Sequence, residues 1–208
     1  MSQEFQVEAK PAIRIDDDVA HGISRLAREQ NASLIVMGWS PTTSLQARLF
    51  GNVIDSVFWS AHCPVAVMRL LDEPINLHQI LVPVKNITPQ TLHIVQFARL
   101  FADTNQAQVT LLHVCDRQTS KEEIASFESE LSQVLAQIPP QIDLAIRTIR
   151  QDDVAQGIIQ TARTFDMVIL RSMRRRTAGG LAVGDVTTQV FSELTCSIVL
   201  FGEPQGIS

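Results

Sequence analysis

One unit of structure is spelled out twice in this chain, and any fold must accommodate both copies. The first copy runs from Leu34 to Leu70, LIVMGWSPTTSLQARLFGNVIDSVFWSAHCPVAVMRL. The second runs from Met167 to Gly202, MVILRSMRRRTAGGLAVGDVTTQVFSELTCSIVLFG. Gly51 pairs with Gly184, Val53 with Val186, Phe58 with Phe191 and Cys63 with Cys196, all at one constant offset. Each copy reads as a short apolar run, a polar loop, an amphipathic segment and a second apolar run. Short apolar runs bounded by Gly and Pro suit buried parallel strands, so each copy predicts strand, loop, helix, strand. In the first copy the strands are expected at Leu34–Met37 and Pro64–Met68, with a helix over Val53–His62.

The chain has 208 residues, enough for one large domain or two small ones. The formal net charge of -5 gives no basic face for nucleic acid. No apolar run approaches the ~18 residues of a membrane span. The N-terminal MSQEFQVEAK lacks the pattern of a signal peptide. Cys63, Cys115 and Cys196 are odd in number, form no CxxC and lie in or beside apolar runs, which predicts free thiols in a reducing compartment.

Upstream of the first copy, Phe5–Val7 and Ala12–Ile15 are candidate short strands. Asp16-Asp17-Asp18 then opens a helix over Asp18–Gln30 that Asn31 ends. After a short polar stretch, Leu71–Leu77, the order becomes regular. Ile80–Val84 is a strand, and Thr88–Asp103 a helix with Pro89 in its first turn. Val109–Val114 is a strand, and Ser120–Gln137 a helix stopped by Pro139-Pro140. Ile142–Ile149 alternates as a strand with one exposed face. Asp152 or Asp153 caps a helix that continues through Thr164, and the second copy follows. Strands alternating with helices imply a parallel sheet covered on both faces. The repeat also extends upstream: DDVAHGI from Asp17 matches DDVAQGI from Asp152, two residues off the main register.

ILVPV at Ile80, LLHV at Leu111, the DDVA helix start and the strand-Gly-loop-Gly-helix-CPV ending together resemble the universal stress protein family. The resemblance covers essentially the whole chain. It implies an adenine nucleotide alpha hydrolase-like fold, a five-stranded parallel sheet of order 3-2-1-4-5, here in tandem with the first unit truncated. Residues 1–71 would be the C-terminal half of a first unit, 72–77 a linker, 78–202 a complete second unit and 203–208 a tail. The wording VMGWSPTT and FGNVIDSVFWSAHCPVAVMRLL is also similar to the cytoplasmic C-terminal tails of cyanobacterial cation/proton antiporters.

Nucleotide-binding members of that family carry Gly, two residues, Gly, nine residues, Gly, then Ser or Thr. Glycines let backbone amides approach phosphates, and a helix N-terminus favours anions. In the first unit Gly38 and Gly51 match, but Pro41 and Asn52 depart from the pattern. The resemblance makes Gly38, Ser40, Gly51, Asn52 and Val53 a degenerate ligand loop. In the second unit Arg171 and Arg174 stand at glycine positions, Gly184 matches and Asp185 follows it. Lys85 stands where the family's adenine-side Asp would be. Lys85, Arg171, Arg174, Gly184 and Asp185 are the corresponding candidates there. Asp185 would set a carboxylate against a phosphate, and like charges repel. The implied ligands are ATP, AMP or a cyclic dinucleotide.

Several other residues invite chemistry. Arg171 with Arg174-Arg175-Arg176 reads as a basic loop at a strand end, where α/β sheets bind ligands. His62 and His113 fit core packing better than a metal site, since no Cys/His spacing resembles one. Trp39 is placed to cover a ligand or partner. No GxSxG is present. The closing strands, Val65–Met68 and Ser197–Phe201, are expected to pair antiparallel, within the chain or between copies in a homodimer. Residues near Ala12–Ile15 lack a neighbour in their own unit, so either another molecule supplies strands or the chain is part of a longer protein, the reading adopted. The function expected is a non-catalytic regulatory module on the cytoplasmic side of a transporter. The alternatives are a free-standing nucleotide-binding stress protein with weak or no ATP hydrolysis, and a ligand-free dimerisation module.

Overall fold

A computed structural model of the chain describes residues 8–39, 52–71, 77–137, 143–172, 174–177, 180–183 and 185–204. The elements are α1 (Val19–Glu29), β1 (Ile35–Gly38), α2 (Asn52–Ser60), β2 (Val65–Arg69), β3 (Gln79–Pro83), α3 (Pro89–Asn105), β4 (Gln108–Cys115) and α4 (Lys121–Leu135). They continue with β5 (Leu144–Arg150), α5 (Val154–Ala162), β6 (Met167–Arg171), β7 (Arg174–Thr177), β8 (Gly180–Val183), α6 (Asp185–Glu193) and β9 (Ser197–Gly202).

Local chemistry sets the helix starts. Asp18 accepts a hydrogen bond from the backbone N–H of His21 at 2.8 Å, and Asp153, not Asp152, accepts from that of Gln156 at 3.0 Å. Each carboxylate satisfies an otherwise orphaned donor at the positive end of its helix. Ser120 and Glu123 exchange side-chain and backbone bonds in a capping box ahead of α4. Asn31 ends α1 with φ 49°, a left-handed conformation that Asn tolerates.

Seven strands form one sheet in the order β1-β2-β9-β6-β3-β4-β5. All neighbours are parallel except β2 and β9. Within it, β5-β4-β3-β6-β9 reproduces the expected 3-2-1-4-5 order. The two closing strands pair antiparallel as expected, Val67 opposite Leu200. Because β2 lies between β1 and β9, and β9 between β2 and β6, neither has an edge left for a second copy. Of the two arrangements expected for these strands, the structure shows pairing inside one chain.

Helices cover both faces, as a buried parallel sheet requires. One core joins Ala20, Phe58, Ile158 and Phe191, from α1, α2, α5 and α6, to Val67, Val168 and Leu200 of the sheet. The other joins Ile94, Phe97 and Leu131, from α3 and α4, to Ile80, Leu111, Ile169 and Phe201. At the start of β3 the Asp166 carboxylate accepts from the N–H groups of His78 and Gln79, both at 2.8 Å, tying β3 to the strand beside it.

Four expectations are corrected. Ala12–Ile15 forms no strand, because among the described residues nothing lies beside it to pair with. The strand over Leu34–Met37 is not fully buried: β1 is a sheet edge and Val36 is 57% exposed. The basic loop after Arg171 is a hairpin of β7 against β8. His62 is exposed rather than packed in the core. The candidate strand Phe5–Val7, the stretch 72–76 and Pro139-Pro140 lie outside the described residues.

Candidate functional site

The repeat is visible as matched geometry. In β1 and β2, Ile35 opposes Val65 and Gly38 opposes Met68; in β6 and β9, Val168 opposes Ile198 and Arg171 opposes Phe201. Each residue and its counterpart are 133 positions apart. The antiparallel pairs Val65 with Gly202 and Arg69 with Ile198 exchange under the same relation, leaving Val67 and Leu200 as each other's counterparts. A local twofold axis therefore passes between Val67 and Leu200, perpendicular to the sheet.

Since β1 and β2 run opposite to β9, the two candidate loops open at opposite edges of the sheet. Gly38 ends β1 at one edge, with Asn52 the first residue of α2 and Val53 exposed in its first turn. Among the described residues, a Cβ built on Gly38 would meet no atom within 4 Å. Ser40 and Gly51 lie outside the described residues. At the other edge Lys85 is exposed just beyond β3, and Arg171 is half-buried at the end of the adjacent β6. Arg174 begins β7 and Asp185 begins α6, while Gly184 lies outside the described residues. The fold thus brings Lys85 and Arg171 onto neighbouring strands and keeps the first loop apart from them.

The loops after β4 and β5 are laced together over that second edge. The Arg117 N–H donates to Asp152 Oδ1 at 3.0 Å, its guanidinium lies 3.5 Å from Asp152 Oδ2, and the Gln151 N–H donates to the Cys115 carbonyl at 2.8 Å. His93 of α3 pairs with Glu203 just beyond β9. His113 hydrogen-bonds the Val84 carbonyl at 3.1 Å and stacks on Phe127, ring centroids 3.7 Å apart, which accounts for it as a packed residue. Among the described residues no cluster of His, Cys, Asp and Glu could hold a metal.

A trio at the seam escaped the sequence reading. Trp39 packs edge-on against Phe191 of α6, centroids 4.7 Å apart, and its N–H donates to the Met68 carbonyl at 2.9 Å. The Arg69 guanidinium lies over both rings, 5.7 Å from Trp39 and 5.5 Å from Phe191. It donates to the carbonyls of Leu194 and Cys196 at 2.6 and 3.3 Å, at the C-terminal end of α6 where a cation is favoured. Burial lowers its pKa, partly countered by Cys196. The counterpart contact is Phe58 against Gly202, where a Cβ would come within 2.5 Å of the Phe58 ring, beside Ser172. Ser172 donates to the Phe201 carbonyl at 2.7 Å, as Trp39 does to that of Met68. The first residue of each loop thus rests where the two halves meet. The signal was in the repeat: Arg69 and Gly202 are counterparts whose difference in size marks the two seams.

The chain belongs to the universal stress protein family, whose profile matches residues 1–69 and 76–202. It is 53% identical over 205 residues to the Na(+)/H(+) antiporter NhaS5 of Synechocystis, a match covering 98% of this chain and 29% of that protein. It is 35% identical over 69 residues to universal stress protein MJ0531 of Methanocaldococcus jannaschii, covering 33% of this chain and 40% of that one. Among solved structures, a universal stress protein of Archaeoglobus fulgidus superposes with a TM-score of 0.65 at 13% identity, covering 90% of this chain and 67% of that one. The Pseudomonas aeruginosa protein PA1789 gives 0.62 at 18%, covering 90% and 69%. The chain therefore spans under a third of the antiporter it matches along nearly its whole length. No helix among the described residues is long and apolar enough to cross a membrane.

Proposed function

We propose that this chain is a non-catalytic regulatory module on the cytoplasmic side of a cation/proton antiporter. The carrying observation is the 53% identity to NhaS5 across 98% of the chain. In this reading residues 1–71 are the C-terminal half of a first stress-protein unit, 72–77 a linker, and 78–202 a complete second unit. The ligand is an adenine nucleotide or a cyclic dinucleotide. In this reading its anionic group is held by the first loop, on Gly38, Ser40, Gly51, Asn52 and Val53; the open space beside Gly38 among the described residues and the start of α2 at Asn52 support it. Lys85, Arg171, Arg174, Gly184 and Asp185 form a second, weaker anion edge, with Asp185 opposing phosphate. Occupancy of the first loop would bear on Trp39, hence on Phe191 and α6, giving the ligand a differential grip on the relative placement of the halves.

Titration calorimetry with ATP, AMP and cyclic dinucleotides tests this. Heat with one of them, lost in Gly51→Arg and accompanied by a change in Trp39 fluorescence, is expected. Absence of heat with all three would remove the ligand-sensing reading and leave a partner-only module. A stand-alone nucleotide-binding stress protein is the second reading; the similarity to universal stress protein MJ0531 supports its stress-protein part. It would bind ATP equally well but leave transport unchanged when the loop is substituted within the longer protein.

A further inference from the structure

The hairpin of β7 and β8 carries a concentration of positive charge that the fold does not require. Arg171, Arg174, Arg175 and Arg176 put four of the chain's 17 basic residues within six positions, in a protein of net charge -5. At the constant offset of 133 their counterparts in the first copy are Gly38, Pro41, Thr42 and Thr43. The first half therefore joins β1 to α2 with none of these cations. Among the described residues β7 and β8 pair only with each other, apart from the seven-stranded sheet.

The register distributes that charge. Arg174 stands opposite Val183, Arg175 opposite Ala182, Arg176 opposite Leu181 and Thr177 opposite Gly180. Opposed residues share a face of a ribbon, and successive residues alternate between faces. One face therefore takes Arg174, Arg176, Leu181 and Val183, and the other Arg175, Thr177, Gly180 and Ala182. Neither strand contains an acid, so no carboxylate stands across the ribbon from an arginine. The arginines of β7 span about 7 Å, within the ~8 Å over which charges act at physiological salt, so they work as one positive centre. Because they alternate between faces, they do not converge on one point as a phosphate cradle does. Spread charge interleaved with aliphatic residues suits an extended anionic surface better than a single small anion.

We propose that this hairpin docks on a membrane surface rich in anionic lipid, its arginines serving headgroup phosphates and Leu181 and Val183 the boundary of the acyl region. Charge complementarity selects the occupant. The proposal rests on the attachment to an antiporter argued above, which brings a membrane within reach. Each arginine near such a surface contributes about fivefold in affinity, so the arginines of β7 give roughly 100-fold, a weak hold that gains force when the chain is tethered nearby. Docking also sets an orientation. The hairpin leaves the sheet at the edge where Arg171 ends β6 beside Lys85, whereas Gly38 ends β1 at the opposite edge. Lys85 and Arg171 then face the membrane, and the first loop faces away from it, open to a soluble ligand. Asp185, the first residue of α6, bounds the basic stretch.

The test is sedimentation of the 208-residue chain with vesicles at millimolar lipid, without nucleotide. Vesicles of mixed phosphatidylcholine and phosphatidylglycerol should carry the chain down, and vesicles of phosphatidylcholine alone should not. Raised salt should weaken the binding. Arg174→Ala, Arg175→Ala and Arg176→Ala together should lower it roughly 100-fold, to the level of neutral vesicles, with an unchanged melting temperature. Arg174→Lys, Arg175→Lys and Arg176→Lys together should retain it, and Leu181→Ser with Val183→Ser should weaken it at every salt concentration. No binding, equal binding to both kinds of vesicle, or an undiminished hold by the alanine variant would overturn the proposal. So would release by inorganic phosphate, which would assign the hairpin to a free anion, or tighter binding to polyglutamate, which would assign it to an acidic protein surface. None of these outcomes touches the antiporter reading, which is decided separately by transport in the longer protein.

Discussion

At the residue scale, the seam depends on a glycine and an arginine in equivalent places. Gly202 is needed for lack of volume: Phe58 packs where its Cβ would stand. Gly202→Ala should cost about 1–3 kcal/mol in chemical denaturation, as an overpacked core does. Phe58→Leu in the same chain should recover part of that loss, which a double-mutant cycle would read. Arg69 works by its donors. Arg69→Ala frees the Leu194 and Cys196 carbonyls at the end of α6 and should cost roughly 1–2 kcal/mol. The thiols of buried Cys63 and half-buried Cys196 give a pH signature. Burial pushes both Cys63 and Cys196 above their ordinary value of 9.0. The folded chain therefore holds protons that the unfolded chain releases, so stability is complete below pH ~9 and falls as pH rises beyond it. Urea midpoints at pH 8 and pH 10 should show that fall, and Cys63→Ala with Cys196→Ala should flatten it.

At the element scale, helix starts were the most legible features because their determinants are local. The Ser120–Glu123 box needs no tertiary partner, and Asp18 and Asp153 cap from within their own turns. Backbone and side-chain hydrogen bonds from Ser120 hold the Glu123 carboxyl below its usual value. A depressed carboxylate stabilises α4 above the unfolded value of about 4.5 and loses that effect as pH falls through the folded one. NMR titration should find the Glu123 pKa restored towards the ordinary value in Ser120→Ala. Strands were legible as apolar runs, but their environments were not. Leu34–Met37 reads as buried, yet one face and one edge of β1 are open, because burial depends on which neighbours arrive. Arg174–Thr177 reads as a polar loop, yet antiparallel pairing with Gly180–Val183 makes it a ribbon.

At the scale of the whole molecule, the antiparallel join of β2 to β9 merges two apolar cores that both cross the seam. Ala66 of β2 belongs to the core that holds Ile80 and Phe97, and Val67 to the one that holds Leu81 and Leu200. Denaturation should therefore be a single transition. Tryptophan fluorescence reports residues 39 and 59 alone, while far-ultraviolet dichroism reports mainly the longer second half. The two curves should coincide in urea, and a separation between them would mean that the seam does not couple the halves.

The repeat, the alternation of strand and helix and the positions of the caps were determined by the sequence alone, because periodicity and capping act over a few residues. The departures of Pro41, Arg171 and Asp185 from the loop pattern that the family resemblance implies were also legible in the sequence. Tertiary structure alone decided that the two halves share one sheet, that their loops face opposite edges, and that Trp39 rests on Phe191 beneath Arg69. Each of these depends on which backbone edges meet across more than a hundred residues, and hydrogen bonds between strands leave no mark on the spacing within either strand.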